Sequence, residues 1–252
     1  MKILGIDPAP AKKSIIFDGR EFIEKTPKEL KVYIDNLNED TFISWDAPLS
    51  AAVYEGDFSL TIRQIERFFN RQSKTAKNLG IPKGISTLGY SGCPHWTISQ
   101  YIFGYPVINE SFLKKLKFDL LMENSEINNK NIFKITESHP ALSLWIVLKE
   151  DLKNNELFKD SWQYKGYSQS DKNITKRREI ITKSLMKKEF VQEVEFNKEI
   201  TIDSDDKLDA FVCYILGSHL VNKTAKAKIL GDKVKGSFLI PYDKVIFEVF
   251  NL

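Results

Sequence analysis

The stretch KILGIDPAPAKKSIIFDGREFIEKTPKELKVYIDNLNEDTFISWDAP, residues 2–48, decides the fold. Residues 2–7 form a short apolar run that stops at Asp7-Pro8, and Ser14 to Asp18 is a second run, rich in isoleucine and phenylalanine. Asp18-Gly19 is then a hairpin signal leading into Glu21 to Lys25, because a tight turn needs the positive φ that glycine supplies. Thr26-Pro27-Lys28-Glu29 combines an N-cap hydroxyl, a proline at the first helical position and a glutamate at capping-box spacing. A helix of about ten residues follows from it. Thr41 to Trp45 is again strand-like and stops at Asp46-Ala47-Pro48, where proline has no N–H to give to a sheet ladder.

Strand, strand, strand, helix, strand predicts a mixed sheet: an antiparallel meander, then a strand that returns beside the first and parallel to it. That order sets Asp7 and Asp46 next to each other at the ends of the first and fourth strands. In open sheets the crevice beyond the strand ends is the usual binding place.

Further along, the spacing predicts helices over Ser59 to Arg71, Glu110 to Met122, Ala141 to Lys149, Ile174 to Phe190 and Asp205 to Leu220, and a strand over Asn131 to Thr136 that ends at Glu137. Residues 79–106, rich in Gly and Pro and holding Tyr90, His95, Trp96 and Tyr101, read as a long loop with a short helix at 95–103; such a loop in a compact domain is more often functional than idle. The interior of the last helix, Ala210 to Leu216, is almost wholly apolar and so is expected to be buried. The chain, residues 1–252, thus reads as one domain with helical insertions near 50–125 and 150–200.

Composition narrows the chemistry. At 252 residues and 42% hydrophobic the chain can bury a substantial core. Its net charge of +3 is well short of the basic balance of dedicated nucleic-acid-binding domains. The two cysteines, Cys93 and Cys213, and the three histidines have no metal-ligand spacing, so a metal here would be held by oxygen. No run approaches the ~20 apolar residues of a membrane span and the N-terminus has no signal-peptide pattern, which predicts a cytoplasmic protein without a membrane partner.

Five acids fall where a strand ends or a helix begins: Asp7, Asp46, Glu137, Asp206 and Asp209. Asp206 and Asp209, three apart on one helix, share a face and repel unless a cation lies between them. Each acid has a structural reading as well. Asp7 and Asp46 precede prolines as turn formers do, and first-turn acids cap free N–H groups. Asp209 is harder to dismiss, because it stands just before the apolar run, where a bare carboxylate is costly to bury. Four or five acids gathered this way suit Mg²⁺ or Mn²⁺, and two such ions ~4 Å apart can drive phosphodiester hydrolysis.

Gly5-Ile6-Asp7, the Trp45-Asp46-Ala47-Pro48-Leu49 motif and the late Asp206-Lys207-Leu208-Asp209-Ala210 helix resemble the RNase H-like superfamily. More closely, they resemble the domain of unknown function 429 family of predicted RNase H-like nucleases. The likeness extends to Arg63-Gln64-Ile65-Glu66-Arg67, to Glu137-Ser138-His139-Pro140, and to Lys165 with Arg177-Arg178. It implies an RNase H-like five-stranded mixed sheet flanked by helices and a two-metal nuclease acting on DNA or RNA. In it Asp7 would bridge the ions, Asp46 and Asp209 flank it, and Asp206 or Glu137 complete the set. The sequence departs from the family in Glu66, where an aspartate is commoner, and in the prolines at 8 and 10. Arg63, Arg67, Lys165, Arg177 and Arg178 are the candidates for phosphate contact, although Arg63 with Glu66 also has the spacing of a helical ion pair.

Two other classes compete. An actin-like phosphotransferase also opens with a strand ending in Gly-Ile-Asp, but the turn Pro8-Ala9-Pro10-Ala11 lacks the N–H groups that cradle phosphate. A non-catalytic module would use Tyr90, Trp96, Tyr101, Trp162, Tyr164 and Tyr167 to stack on bases, or simply pack them as satellite core. His139 reads either as a proton shuttle beside Glu137 or as a hydrogen-bonded structural residue.

Overall fold

The computed structural model describes residues 1–50, 52–54, 57–59, 63–70, 72–85, 95–103, 118–123, 133–166, 173–232 and 235–251, with side chains left aside at 52–54, 57–59 and 95–96. Most of the helix expected from Glu110, together with Tyr90, Cys93, Tyr167, Lys172 and the side chains of His95 and Trp96, lies outside these.

The opening stretch folds in the expected order: β1 (Lys2–Asp7), β2 (Ser14–Phe17), β3 (Phe22–Lys25), α1 (Pro27–Asp35) and β4 (Thr41–Trp45). The capping box is present, with the Glu29 carboxylate accepting from the Thr26 N–H at 2.8 Å. There follow β5 (Ala52–Tyr54) and β6 (Asp57–Ser59), then α2 (Gln64–Phe69), α3 (Lys74–Asn78), α4 (His95–Phe103), β7 (Asp119–Leu120), β8 (Phe133–Glu137) and α5 (Pro140–Leu152). The chain continues through α6 (Asn173–Leu185), α7 (Glu189–Gln192), α8 (Asp205–Val221), β9 (Ala227–Asp232), β10 (Gly236–Pro241) and α9 (Lys244–Phe250).

The main sheet has the order β3-β2-β1-β4-β8-β7. Its first three strands pair antiparallel, while β1–β4, β4–β8 and β8–β7 pair parallel. This mixed sheet flanked by helices is consistent with the RNase H-like α/β arrangement, with one correction: it has six strands rather than five. The sixth, β7, lies within the expected Glu110 to Met122 helix. Two residues are too few to carry an alternating pattern, and the Leu121 N–H bond to Ile135 O at 2.8 Å fixes them to the sheet instead.

Two more expectations shift at helix ends. Ser59 belongs to a hairpin strand, and the helix after it begins at Gln64 behind an extended Arg63. The basic helix stops at Leu185, because Lys188 is extended and caps the separate α7. The hairpin of β9 and β10 pairs Gly236 with Asp232 through Pro241 with Ala227.

Strand alternation sorts the core into two layers. Leu4, Ile6, Ile16, Ile43 and Trp45 face α1 and α4, packing with Leu30, Ile34, Ile98 and Ile102. Phe17 and Phe42 face α8, packing with Phe211 and Ile215. The expected burial of the last helix is met: Ala210 to Leu216 is buried throughout. No helix among the described residues is long and apolar enough to cross a membrane.

Candidate metal centre

Register brings the first two acids together. Ile6 pairs with Trp45 across parallel β1 and β4, and the Asp46 N–H donates to Ile6 O at 2.9 Å, so Asp7 and Asp46 leave neighbouring strand ends side by side. Alternation turns Gly5 and Asp7 to the α8 side, opposite Ile6.

The third acid arrives because position 5 is glycine. A Cβ there would stand 2.1 Å from Ala210 O and 2.3 Å from Tyr214 N, so the α8 backbone rests directly on β1. Asp209, the residue before Ala210, is thereby lowered onto Asp7. One carboxylate oxygen from each of Asp7, Asp46 and Asp209 lies within 4.8 Å of the other two. Asp7 is 7% and Asp209 1% exposed.

Tyr164 and Lys165 close the site from the segment before α6. The Tyr164 hydroxyl donates to Asp209 Oδ1 at 2.5 Å. Lys165 Nζ lies 2.5 Å from Asp209 Oδ2 and 3.4 Å from Asp46 Oδ2. That segment is pinned on three sides: Gly166 N–H donates to Asp205 Oδ2 at 3.0 Å, Trp162 N–H to Lys83 O at 2.8 Å, and Arg177 Nη1 to Gln163 O at 3.3 Å.

Burial, then the Asp46 and Asp209 charges, hold the Asp7 carboxyl well above the usual carboxylate range. Asp209 is pushed up to about 7, its burial outweighing the favourable Lys165 charge. Loss of water works against the Lys165 ammonium, but Asp209 and Asp46 prevail and raise its pKa, although the side chain is 46% exposed along its length. Burial, then Asp209, keeps the Tyr164 hydroxyl protonated. Acids this reluctant to ionise alone fit a cation. Asp7 adds a second sign, since its carboxylate has no hydrogen bond among the described residues. The donor set, carboxylate oxygen only, suits a hard divalent ion.

Asp206 and Glu137, expected to complete the ligand set, are not in it. Asp206 Oδ2 lies 2.5 Å from Lys12 Nζ at the crevice edge, and its charge reaches Asp7 without its side chain joining the cluster. Glu137 pairs in register with Trp45 and so points to the face away from α8. There it takes Arg63 Nη1 at 2.7 Å, Nη2 at 2.5 Å and the Leu49 N–H at 3.0 Å. Burial, against the pull of Arg63, pushes it up to about 7.

The basic candidates divide as well. Lys165 sits among the acids and Arg67 is exposed on α2. Arg63 is 1% exposed, and its guanidinium also binds Glu66 Oε1 from Nε at 2.9 Å and Nη2 at 2.6 Å, and Ser50 Oγ at 3.0 Å. Arg177 Nε donates to Leu157 O at 2.7 Å, and Arg178 Nη1 lies 3.5 Å from Asp205 Oδ1; both side chains are buried. These three arginines hold protein groups.

His139 takes its structural role: Nδ1 caps α5 by accepting the Leu142 N–H at 3.3 Å, and burial lowers its pKa to about 4. In the turn after β1, the Ala9 N–H between the two prolines is spent on Ser14 Oγ at 2.9 Å, which leaves it nothing for a phosphate. Tyr164 as an acid's hydrogen-bond donor is what sequence reasoning missed. No spacing rule finds it, because Asp209 is 45 residues away.

The family model described as protein of unknown function (DUF429) matches residues 112–232, the span that holds Glu137, Tyr164, Lys165, Asp206 and Asp209, with Asp7 and Asp46 preceding it. No curated protein and no solved structure matches the chain. The segment that carries the third aspartate and both of its partners is thus the one that matches the model of this family of proteins of unknown function.

Proposed function

We propose that this protein hydrolyses phosphodiester bonds of nucleic acid, DNA or RNA, with Mg²⁺ or Mn²⁺ held by Asp7, Asp46 and Asp209. The observation that carries the reading is the meeting of those three carboxylates within 4.8 Å at the mouth of parallel strand ends. When bound, the ion supplies Lewis acidity toward a phosphoryl oxygen.

The chain's own groups supply the rest. Asp7, buried and without a hydrogen-bond donor among the described residues, is the acid with most to gain from a cation. Tyr164 fixes the rotation of the Asp209 carboxylate through Oδ1. Lys12 and Lys165, both substantially exposed, flank the acids with positive charge and can draw a polyanion to an otherwise acidic crevice. The resemblance of the Asp7, Asp46 and Asp209 motifs to RNase H-like nucleases supports the substrate class. No helix among the described residues could cross a membrane, and this agrees with a cytoplasmic enzyme.

The test is Mn²⁺ titration by calorimetry of the wild type and Asp7→Asn, followed by incubation with single-stranded, duplex and hybrid nucleic acids with Mn²⁺, with Mg²⁺ or with chelator. Cleavage that needs metal and disappears in Asp7→Asn is expected. Mn²⁺ binding without cleavage of any substrate would leave a binding module, and no Mn²⁺ binding at all would end the metal reading.

A further inference from the structure

We infer that Lys165 takes the place of a second metal ion, so that this site holds one divalent cation where a two-ion centre was expected. The inference rests on the metal reading above and deepens it.

A two-ion phosphodiesterase needs enough negative charge to hold two dications close together. The structure gathers three carboxylates. Of the other two acids expected, Asp206 is tied to Lys12 at 2.5 Å. Glu137 lies on the opposite sheet face, bound by both terminal nitrogens of Arg63. Glu137 cannot turn inward without stranding the buried Arg63, and Asp206 is drawn outward to the exposed Lys12.

One positive charge is already in place. Lys165 Nζ touches Asp209 Oδ2 at 2.5 Å and approaches Asp46 Oδ2 at 3.4 Å, while Tyr164 occupies Asp209 Oδ1. Both Asp209 oxygens are therefore engaged. Three carboxylates with one ammonium leave two negative charges, the complement of one dication and not of two. Asp7 keeps both oxygens without a hydrogen bond among the described residues. An ion held by the three acids would thus lean toward Asp7, with Asp209 and Asp46 shared between it and the ammonium.

The lysine is held there by design of the backbone around it. Gly166, the next residue, is anchored to Asp205 Oδ2 at 3.0 Å, and Asp205 also faces Arg178 at 3.5 Å. Gly166 has φ of +98°, with nothing among the described residues within 4 Å of where its Cβ would be. The left-handed backbone there is what calls for glycine.

The experiment counts ions. Mn²⁺ is titrated into the wild type, Lys165→Met and Lys165→Arg, with free ion read by electron paramagnetic resonance and heat by calorimetry. Circular dichroism melting checks that each variant folds; methionine keeps the aliphatic body of a side chain already half exposed. The expected result is one Mn²⁺ per chain in the wild type and in Lys165→Arg, and two in Lys165→Met. Two ions in the wild type, or one in folded Lys165→Met, would overturn the inference and leave the metal reading standing. No bound ion in any of them would overturn both.

Discussion

Gly5 lies backbone to backbone against Ala210, with a hypothetical Cβ only 2.1 Å from the Ala210 carbonyl oxygen. This one approach sets the height of α8 above β1, and so the distance from Asp209 to Asp7. The neighbours are main-chain atoms in the middle of a helix and have no rotamer to change.

Gly5→Ala is therefore expected to cost about 1–3 kcal/mol or more in urea unfolding, the range for overpacking a close-fitting interior. Mn²⁺ affinity should fall with it, because any relief lifts Asp209 off Asp7. An alanine variant with unchanged midpoint and unchanged Mn²⁺ binding would mean that the helix does not sit where this packing puts it.

Arg63→Met separates a structural arginine from a substrate-binding one. Removing the guanidinium strands Glu66 and Glu137, both buried, and breaking a buried ion pair from one side costs roughly 3–5 kcal/mol. Lysine should not rescue it, since Glu137 is held by two parallel N–H bonds that one ammonium cannot reproduce. Normal stability with weakened nucleic-acid binding would show the opposite role.

What was legible in the sequence, and what was not, follows from the range of the signals. The opening order of strands and the capping box at Thr26 are local, and they sufficed to place Asp7 beside Asp46. Glu137 was misjudged because side chains alternate every residue: the strand carries it in register with Trp45, and that parity sends it behind the sheet. A strand end known to within two residues cannot fix parity. Arg63 with Glu66 had the spacing of an ion pair, but nothing local could say that Glu137, 74 residues on, would join them. The contacts of Tyr164 and Lys165 with Asp209 are likewise products of the finished fold.

Tyr164→Phe removes one hydrogen atom's worth of recognition at Asp209 and almost no volume. Loss of a bond to a charged group is worth about 1.5–3 kcal/mol of stability. Support of a ligand by its outer partner is worth on the order of tenfold in metal affinity. Calorimetry with Mn²⁺ should show weaker binding at unchanged stoichiometry, and equal affinity would remove Tyr164 from the site's working parts.

Asp209 gives a pH dependence with a definite sign. Its folded pKa of about 7 stands above the ordinary 3.8, so the folded state holds the extra proton between those values. Stability from this group is present at low pH and is lost as pH rises toward 7. Wild type minus Asp209→Asn should therefore drop by on the order of 2 kcal/mol between pH 4.5 and 7.5 in metal-free buffer. Saturating Mn²⁺ should reverse the trend, because the ion binds the ionised form. Parallel curves for the two proteins without metal would place the Asp209 carboxylate in ordinary solvent.

His139 runs the other way, which is why the comparison needs a variant for each. Burial lowers its pKa to about 4 from 6.5, so the unfolded chain binds the proton first as pH falls, and stability is lost between pH 6.5 and 4. The Nδ1 cap on Leu142 N–H requires the neutral ring with its proton on the other nitrogen, and protonation would cost the cap as well. Asparagine caps a helix without titrating. His139→Asn should thus match the wild type near pH 7.5 and exceed it by on the order of 1–2 kcal/mol at pH 5, as read from urea midpoints at the two values. If the two proteins lose stability equally on acidification, the ring is solvated and α5 is capped by other means.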